Sequence, residues 1–210
     1  LSDTIVLLGA TAVGVAIYPY FSDMAASQRR EDAQSALIGV MRIMVFVFVP
    51  LSAAIIMLRY PLIEMVFQRK AFDADAVNMT TGPFMFYTAG LAAFSIEIVL
   101  MRFYFSMKDT MTPILVGILC FAVHLGIVVA CKDAMQHSSM ALGLSVSKTL
   151  KVIIMYFLLK RKLPSIGVKD NGIFLAKVGL ATLGMVAVIY AAQAWLGTVW
   201  RTPRVLGAFV

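Results

Sequence analysis

Five stretches of this chain, residues 36–58, 83–105, 112–131, 139–159 and 174–196, are long, nearly uninterrupted apolar runs. About 20 such residues in an α-helix cross the hydrocarbon core of a bilayer. Inside hydrocarbon, each backbone N–H and C=O must find its partner within the protein, which leaves helices or closed barrels. These runs are too long and too uniformly apolar for barrel strands. Partial runs at 1–20 and 204–210 flank them. The expected fold is therefore an all-α integral membrane protein, a polytopic helix bundle with five full and two partial transmembrane helices.

Composition agrees. The chain is 61% hydrophobic and 14% charged, against about 25% charged in a soluble domain. Both ends fall inside apolar runs and no basic leader precedes the first. The sequence thus reads as a piece of a longer protein, cut at both ends within spans. The formal charge of +7 comes largely from loops such as Lys160-Arg161-Lys162, which suits anchoring at a membrane surface and not nucleic acid. Cys120 and Cys131 on one helix stand about 16 Å apart and cannot pair.

The loops alternate between two faces. One face holds 21–35, the corner Ser106-Met107-Lys108-Asp109 and 160–173; it carries more Lys and Arg than the other, which places it in the cytoplasm. In the corner, Asp109 or Thr110 can cap the next helix, and Pro113, after Thr112, fits its first turn. In the long loop 59–82, Leu62, Ile63, Val66 and Phe67 recur at helical spacing. That pattern fits an interfacial amphipathic turn or an extension of the preceding helix. Pro50, deep in a span, predicts a kink.

No GxSxG, HExxH or P-loop pattern occurs, and two histidines with two scattered cysteines make no zinc motif. No catalytic or metal site is expected. What stands out is ionisable residues at membrane depth, which are costly and mark pathways: Glu97, His124, Lys148 and Lys151. Glu97 and Lys151 share a depth. Lys148 and Lys151 lie at i, i+3 on one helix face beside Ser145 and Ser147, polar enough to line a water-filled cavity. The competing reading is a structural ion pair, or lysines snorkelling to an interface. Arg102 sits three residues from its span's end, where snorkelling and function compete; Arg42 and Lys177, near span ends, read as snorkelling.

Four stretches in order carry a family resemblance: Ile17-Tyr18-Pro19-Tyr20-Phe21-Ser22, Val66-Phe67-Gln68-Arg69-Lys70-Ala71-Phe72, the corner from Arg102-Phe103-Tyr104-Phe105 through Asp109-Thr110-Met111-Thr112-Pro113, and Gly143-Leu144-Ser145-Val146-Ser147. Over roughly residues 5–165 the chain resembles the MurJ/MviN lipid II flippases of the multidrug/oligosaccharidyl-lipid/polysaccharide exporter superfamily. The corner is the most specific match. Lys70 stands where the family usually has Gly, and Tyr104-Phe105 replaces its Phe-Tyr pair. The resemblance implies a fourteen-helix, two-lobe transporter, with this chain running from the eighth span to the start of the fourteenth. Residues 1–165 would be second-lobe helices and 166–210 a terminal helix pair. That numbering also puts the Lys160 loop in the cytoplasm. The family's basic cavity residues fall mostly outside this chain. Positions that hold an Asn and an Asp, ascribed to sodium in some members, are His124 and Val128 here.

The function so implied is translocation of the lipid-linked peptidoglycan precursor across the bacterial cytoplasmic membrane by alternating access, for cell-wall synthesis. The substrate would be undecaprenyl-pyrophosphate-linked, the partners membrane lipids and the other half of the transporter. No cofactor is implied; coupling to an ion gradient or the membrane potential is. Lys148 and Lys151, with Glu97 as charge partner, are the candidate contacts to the pyrophosphate. The alternatives are a polysaccharide-lipid or multidrug exporter of the same superfamily, an integral-membrane lipid-phosphate enzyme, which would need a cytosol-facing cluster of carboxylates or histidines, and a non-transporting scaffold.

Overall fold

The computed structural model describes residues 7–27, 30–67, 74–135, 137–162 and 168–199. Among them are eight α-helices: α1 (Ala12–Ala26), α2 (Arg30–Met57), α3 (Arg59–Phe67), α4 (Ala74–Ala89), α5 (Leu91–Ser106), α6 (Met111–Met135), α7 (Ser138–Lys162) and α8 (Val168–Val199). A π-helical turn, Leu7–Thr11, leads into α1. Positions 68–72 of the basic loop motif and the partial span 204–210 lie outside the described residues. Four helices are long and apolar enough to cross a membrane, within Glu31–Met57, Met111–Met135, Ser138–Lys162 and Gly172–Trp195. Met79–Ala89 and Leu91–Ser106 pass the same test together as a bent pair, the form of a broken span or a re-entrant loop. Four of the five expected spans are single long helices, and the fifth, 83–105, falls on this bent pair.

Two expectations need correction and a third is resolved. The crossing formed by α4 and α5 is not straight: it bends by 43° between them. The break falls at Gly90, whose N–H reaches both Phe86 O, at 3.3 Å, and Tyr87 O, at 3.2 Å. A Cβ on Gly90 would sit 2.7 Å from Ser145 Oγ and 2.8 Å from Phe94 Cζ, so close approach of α7 demands glycine there. The loop expected at 21–35 is mostly helix, because Phe21 and Met24 are buried and carry α1 onward to Ala26. Of the two readings for the stretch that becomes α3, the interfacial amphipathic turn gives way to the helix extension, with Ile63 fully buried and Val66 exposed. Continuous bonds, Leu58 N–H to Ala54 O and Leu62 N–H to Leu58 O, make α3 a close continuation of α2.

The centre of the bundle is α5, which packs on α1, α2 and α7. It buries Leu91, Phe94, Val99, Leu100, Phe103 and Tyr104. Phe103 meets Phe21 of α1 edge-on, with ring centroids 5.2 Å apart, the geometry aromatic quadrupoles favour. The most extensive pairing is the α6–α7 hairpin, and α8 lies against α2, where the Arg42 guanidinium stands 5.7 Å from the Phe174 ring centre. Outward faces carry Leu115, Ile118, Phe121, Leu180, Leu183 and Tyr190, which suits contact with lipid.

The corner between α5 and α6 is built in detail. Lys108 adopts φ 59°, left-handed backbone. The Lys108 N–H bonds Phe105 O and the Asp109 N–H bonds Tyr104 O, both at 3.0 Å, the two bonds of a Schellman ending. Asp109, not Thr110, supplies the cap. Its Oδ1 accepts from the Thr112 N–H at 3.1 Å and its Oδ2 from the Thr112 hydroxyl at 2.8 Å. Pro113 is buried in the first turn of α6. The Lys162 ammonium at the end of α7 also binds Asp109 Oδ2, so the corner and the Lys160 stretch share one face of the bundle. Burial works to raise the Asp109 pKa, but the hydrogen bonds from Lys162 and Thr112 outweigh it and hold the carboxyl below its ordinary value.

Three outcomes follow for protein purified in detergent. Gly90→Ala lowers the thermal midpoint, and adding Ser145→Ala to it recovers part of the loss; an unchanged midpoint in Gly90→Ala would show that α7 does not press on the bend. Lys108→Gly raises stability by roughly 0.5–1 kcal/mol, since only glycine is at ease in left-handed backbone, while Lys108→Ala gives no such gain. Asp109→Ala costs about 1 kcal/mol near neutrality. Because the folded pKa of Asp109 is depressed, its contribution is present above the unfolded value of about 3.9 and fades as pH falls through the folded one. The melting difference between wild type and Asp109→Ala should therefore shrink in acid.

Candidate functional site

The spacing of 94, 97, 101 and 104 puts Phe94, Glu97, Met101 and Tyr104 on one stripe of α5, and that stripe faces α7. Glu97 is 4% exposed. Its Oε2 accepts from Lys148 Nζ at 2.6 Å and its Oε1 from Lys151 Nζ at 2.7 Å. One carboxylate is thus shared by two ammonium groups, each holding its own oxygen, and the cluster carries a formal charge of +1. Two lysines at i, i+3 on α7 reach one acceptor because residues at that spacing lie on the same side of the helix.

The two lysines differ in setting. The Lys151 side chain is 14% exposed; its Nζ lies 3.8 Å from Met101 Sδ. On its far side is Gly117 of α6, where an added Cβ would come 3.8 Å from the same nitrogen. Lys148 is 36% exposed and stands 5.5 Å from the centre of the Phe94 ring. The serines beside them do not share their role. Both are buried and bond backbone: Ser145 Oγ donates to Phe86 O at 2.7 Å, and Ser147 Oγ to Leu144 O at 3.0 Å. A cleft of about 400 Å³ borders another side of α7, lined mainly by apolar groups such as Phe86, Leu142, Val146 and Ile153; neither lysine lines it.

His124 is on the same face of α6 as Gly117, roughly 10 Å further along the helix. Its Nδ1 is buried without a hydrogen-bond partner, and a Cβ on Gly143 would come within 2.9 Å of it. It belongs to the α6–α7 interface and does not touch the Glu97 cluster. Arg102 lies on a different side of α5 from Glu97. Its guanidinium stands 5.9 Å from the Tyr18 ring centre of α1. Asp109, Thr112 and Pro113 form the corner already described.

Sequence reasoning missed Phe94, Met101 and Gly117 as surroundings of the lysines. The first two were legible as the i−3 and i+4 neighbours of Glu97; the third depends on how α6 docks. It also missed the Tyr104 hydroxyl, which donates to Met155 O of α7 at 2.8 Å. Among the described residues no group of three or more His, Cys, Asp or Glu is placed to hold a metal. The cluster offers cations held at membrane depth, and the chemistry open to it is recognition of an anion.

The family model described as "Lipid II flippase MurJ" matches residues 5–209. The chain is 25% identical over 201 residues to the probable lipid II flippase MurJ of Bdellovibrio bacteriovorus, covering 96% of this chain and 38% of that protein. It is 24% identical over 190 residues to the protein of the same name from Haemophilus influenzae, covering 85% of this chain and 36% of the other. Among solved structures, a lipid II flippase MurJ in an inward closed conformation superposes with a TM-score of 0.74 at 21% identity, over 91% of this chain and 40% of that one. The chain therefore spans about two fifths of the length of the relatives it matches. The match over nearly the whole sequence, on a bundle with four long apolar helices and a bent fifth pair, places this chain in the lipid II flippase MurJ family.

Proposed function

We propose that the chain is the second-lobe part of a flippase that carries lipid II from the inner to the outer leaflet of the bacterial cytoplasmic membrane. The protein is a multi-pass membrane protein of a transporter family. The observation that carries the reading is the pair of lysines held at mid-membrane by Glu97. Two cations and one anion are an expensive way to join helices in lipid, where Leu or Met would pack more cheaply. Their presence there suits a pathway that must meet a diphosphate. Translocation by rocking of two lobes around a central site supplies the rest: the other lobe completes the cavity, and an ion gradient or the membrane potential drives the cycle without a cofactor.

In the full-length protein, Lys148→Met or Lys151→Met should preserve membrane abundance and reduce transport. A charge-assisted contact contributes about 1.5–3 kcal/mol, so the loss is on the order of tenfold or more. Lys→Arg should be milder, since charge is kept while geometry changes. Complementation of a flippase-depleted strain, with membrane protein level as control, is the measurement. Full complementation by both Met variants at normal abundance would refute the anion-site assignment.

A further inference from the structure

The cluster is asymmetric in a way that a static helix clamp does not need. Each Glu97 oxygen serves one lysine, so either bond can open without breaking the other. Lys151 is enclosed by Met101 and the Gly117 backbone of α6, with 14% of its side chain exposed. Lys148 is exposed to more than twice that extent, at 36%. An ammonium carries three donors, and the described residues give that of Lys148 one oxygen, Glu97 Oε2. Its other recorded neighbour is the Phe94 ring.

We propose that Glu97 is a built-in stand-in for the ligand: its Oε2 occupies Lys148 while the site is empty, and a diphosphate takes that place by exchange. This rests on the reading of the lysines as an anion site, and adds a division of labour within it. Lys151 is a positioning residue that keeps Oε1, and with it the Glu97 carboxylate, in place. Lys148 is the group that changes partner. No bond is made or broken covalently; one ammonium moves from a carboxylate oxygen to a phosphate oxygen.

The exchange serves both halves of a transport cycle. Uncompensated, a mid-membrane ammonium is costly and would grip an anion so firmly that release becomes slow. With a carboxylate waiting 2.6 Å away, the ligand's departure leaves no orphaned charge. Glu97 weakens ground-state binding and speeds release, and the formal +1 of the cluster preserves attraction for an anion throughout.

Binding of radiolabelled farnesyl diphosphate to the full-length protein in detergent, by equilibrium dialysis, tests this. Lys148→Met should bind about tenfold or more weakly. Glu97→Gln, which frees Lys148, should bind about tenfold more tightly and, in vesicles, turn over more slowly. Because Glu97→Gln leaves two lysines adjacent and can fail to fold, the deciding comparison is Lys151→Met against Lys151→Met with Glu97→Gln. The single variant leaves Lys148 neutralised by Glu97; the double leaves it free, and should bind several-fold more tightly. A double variant that binds no more tightly than Lys151→Met overturns the exchange. Unchanged binding in Lys148→Met overturns the anion site itself, and so separates the two failures.

Discussion

A single carboxylate facing two ammonium groups organises the middle of this bundle. Lipid tails are as apolar as leucine, so helices inside a membrane gain little by hiding apolar faces from solvent; packing and polar contacts decide which helix meets which. The Glu97 cluster is the strongest of a series of such contacts along α7. From one end, Ser145 reaches Phe86 O on α4, Lys148 and Lys151 take Glu97 on α5, Met155 O receives the Tyr104 hydroxyl, and Lys162 binds Asp109 in the corner. Slide α7 by one residue and its polar groups swing about 100° away from α4 and α5. The series therefore fixes both rotation and register, which apolar contacts alone leave loose.

The same contacts explain how much could be read from sequence. The spans were legible because length and uniform apolarity answer to bilayer thickness alone. The corner was legible because its residues satisfy each other locally: Asp109 and Thr112 are three positions apart, and Pro113 needs only a first turn. That Glu97 and Lys151 meet followed from matching depths on two spans, one rise per residue at a time. In each case the deciding quantity is a position counted along one helix or within one turn.

What escaped depends on how separate helices dock. The sharp break at Gly90 falls inside an expected span. There the determinant is the Ser145 hydroxyl pressing in from α7, fifty-five positions later. Arg102 and Glu97 lie on one span, but which side each faces depends on the placement of α1 and α7. Ser145 and Ser147 look in sequence like companions of the lysines; in the fold Ser145 borders the apolar cleft instead, and both hydroxyls bond backbone carbonyls, the usual fate of small hydroxyls in apolar helices.

The contact between Gly143 and His124 has a mechanical consequence. A Cβ at 143 would come within 2.9 Å of the imidazole nitrogen and 3.2 Å of Val128 Cγ2, so at that point α7 seats against α6 through a hydrogen atom. Nearer the other end, the Lys151 ammonium rests beside Gly117. Two glycines on one interface, Gly117 on α6 and Gly143 on α7, each admit a side chain of the facing helix where a bulkier residue would crowd it. The α6–α7 hairpin is thus pinned in register at two points, while the neighbouring crossing takes its 43° change of direction at Gly90.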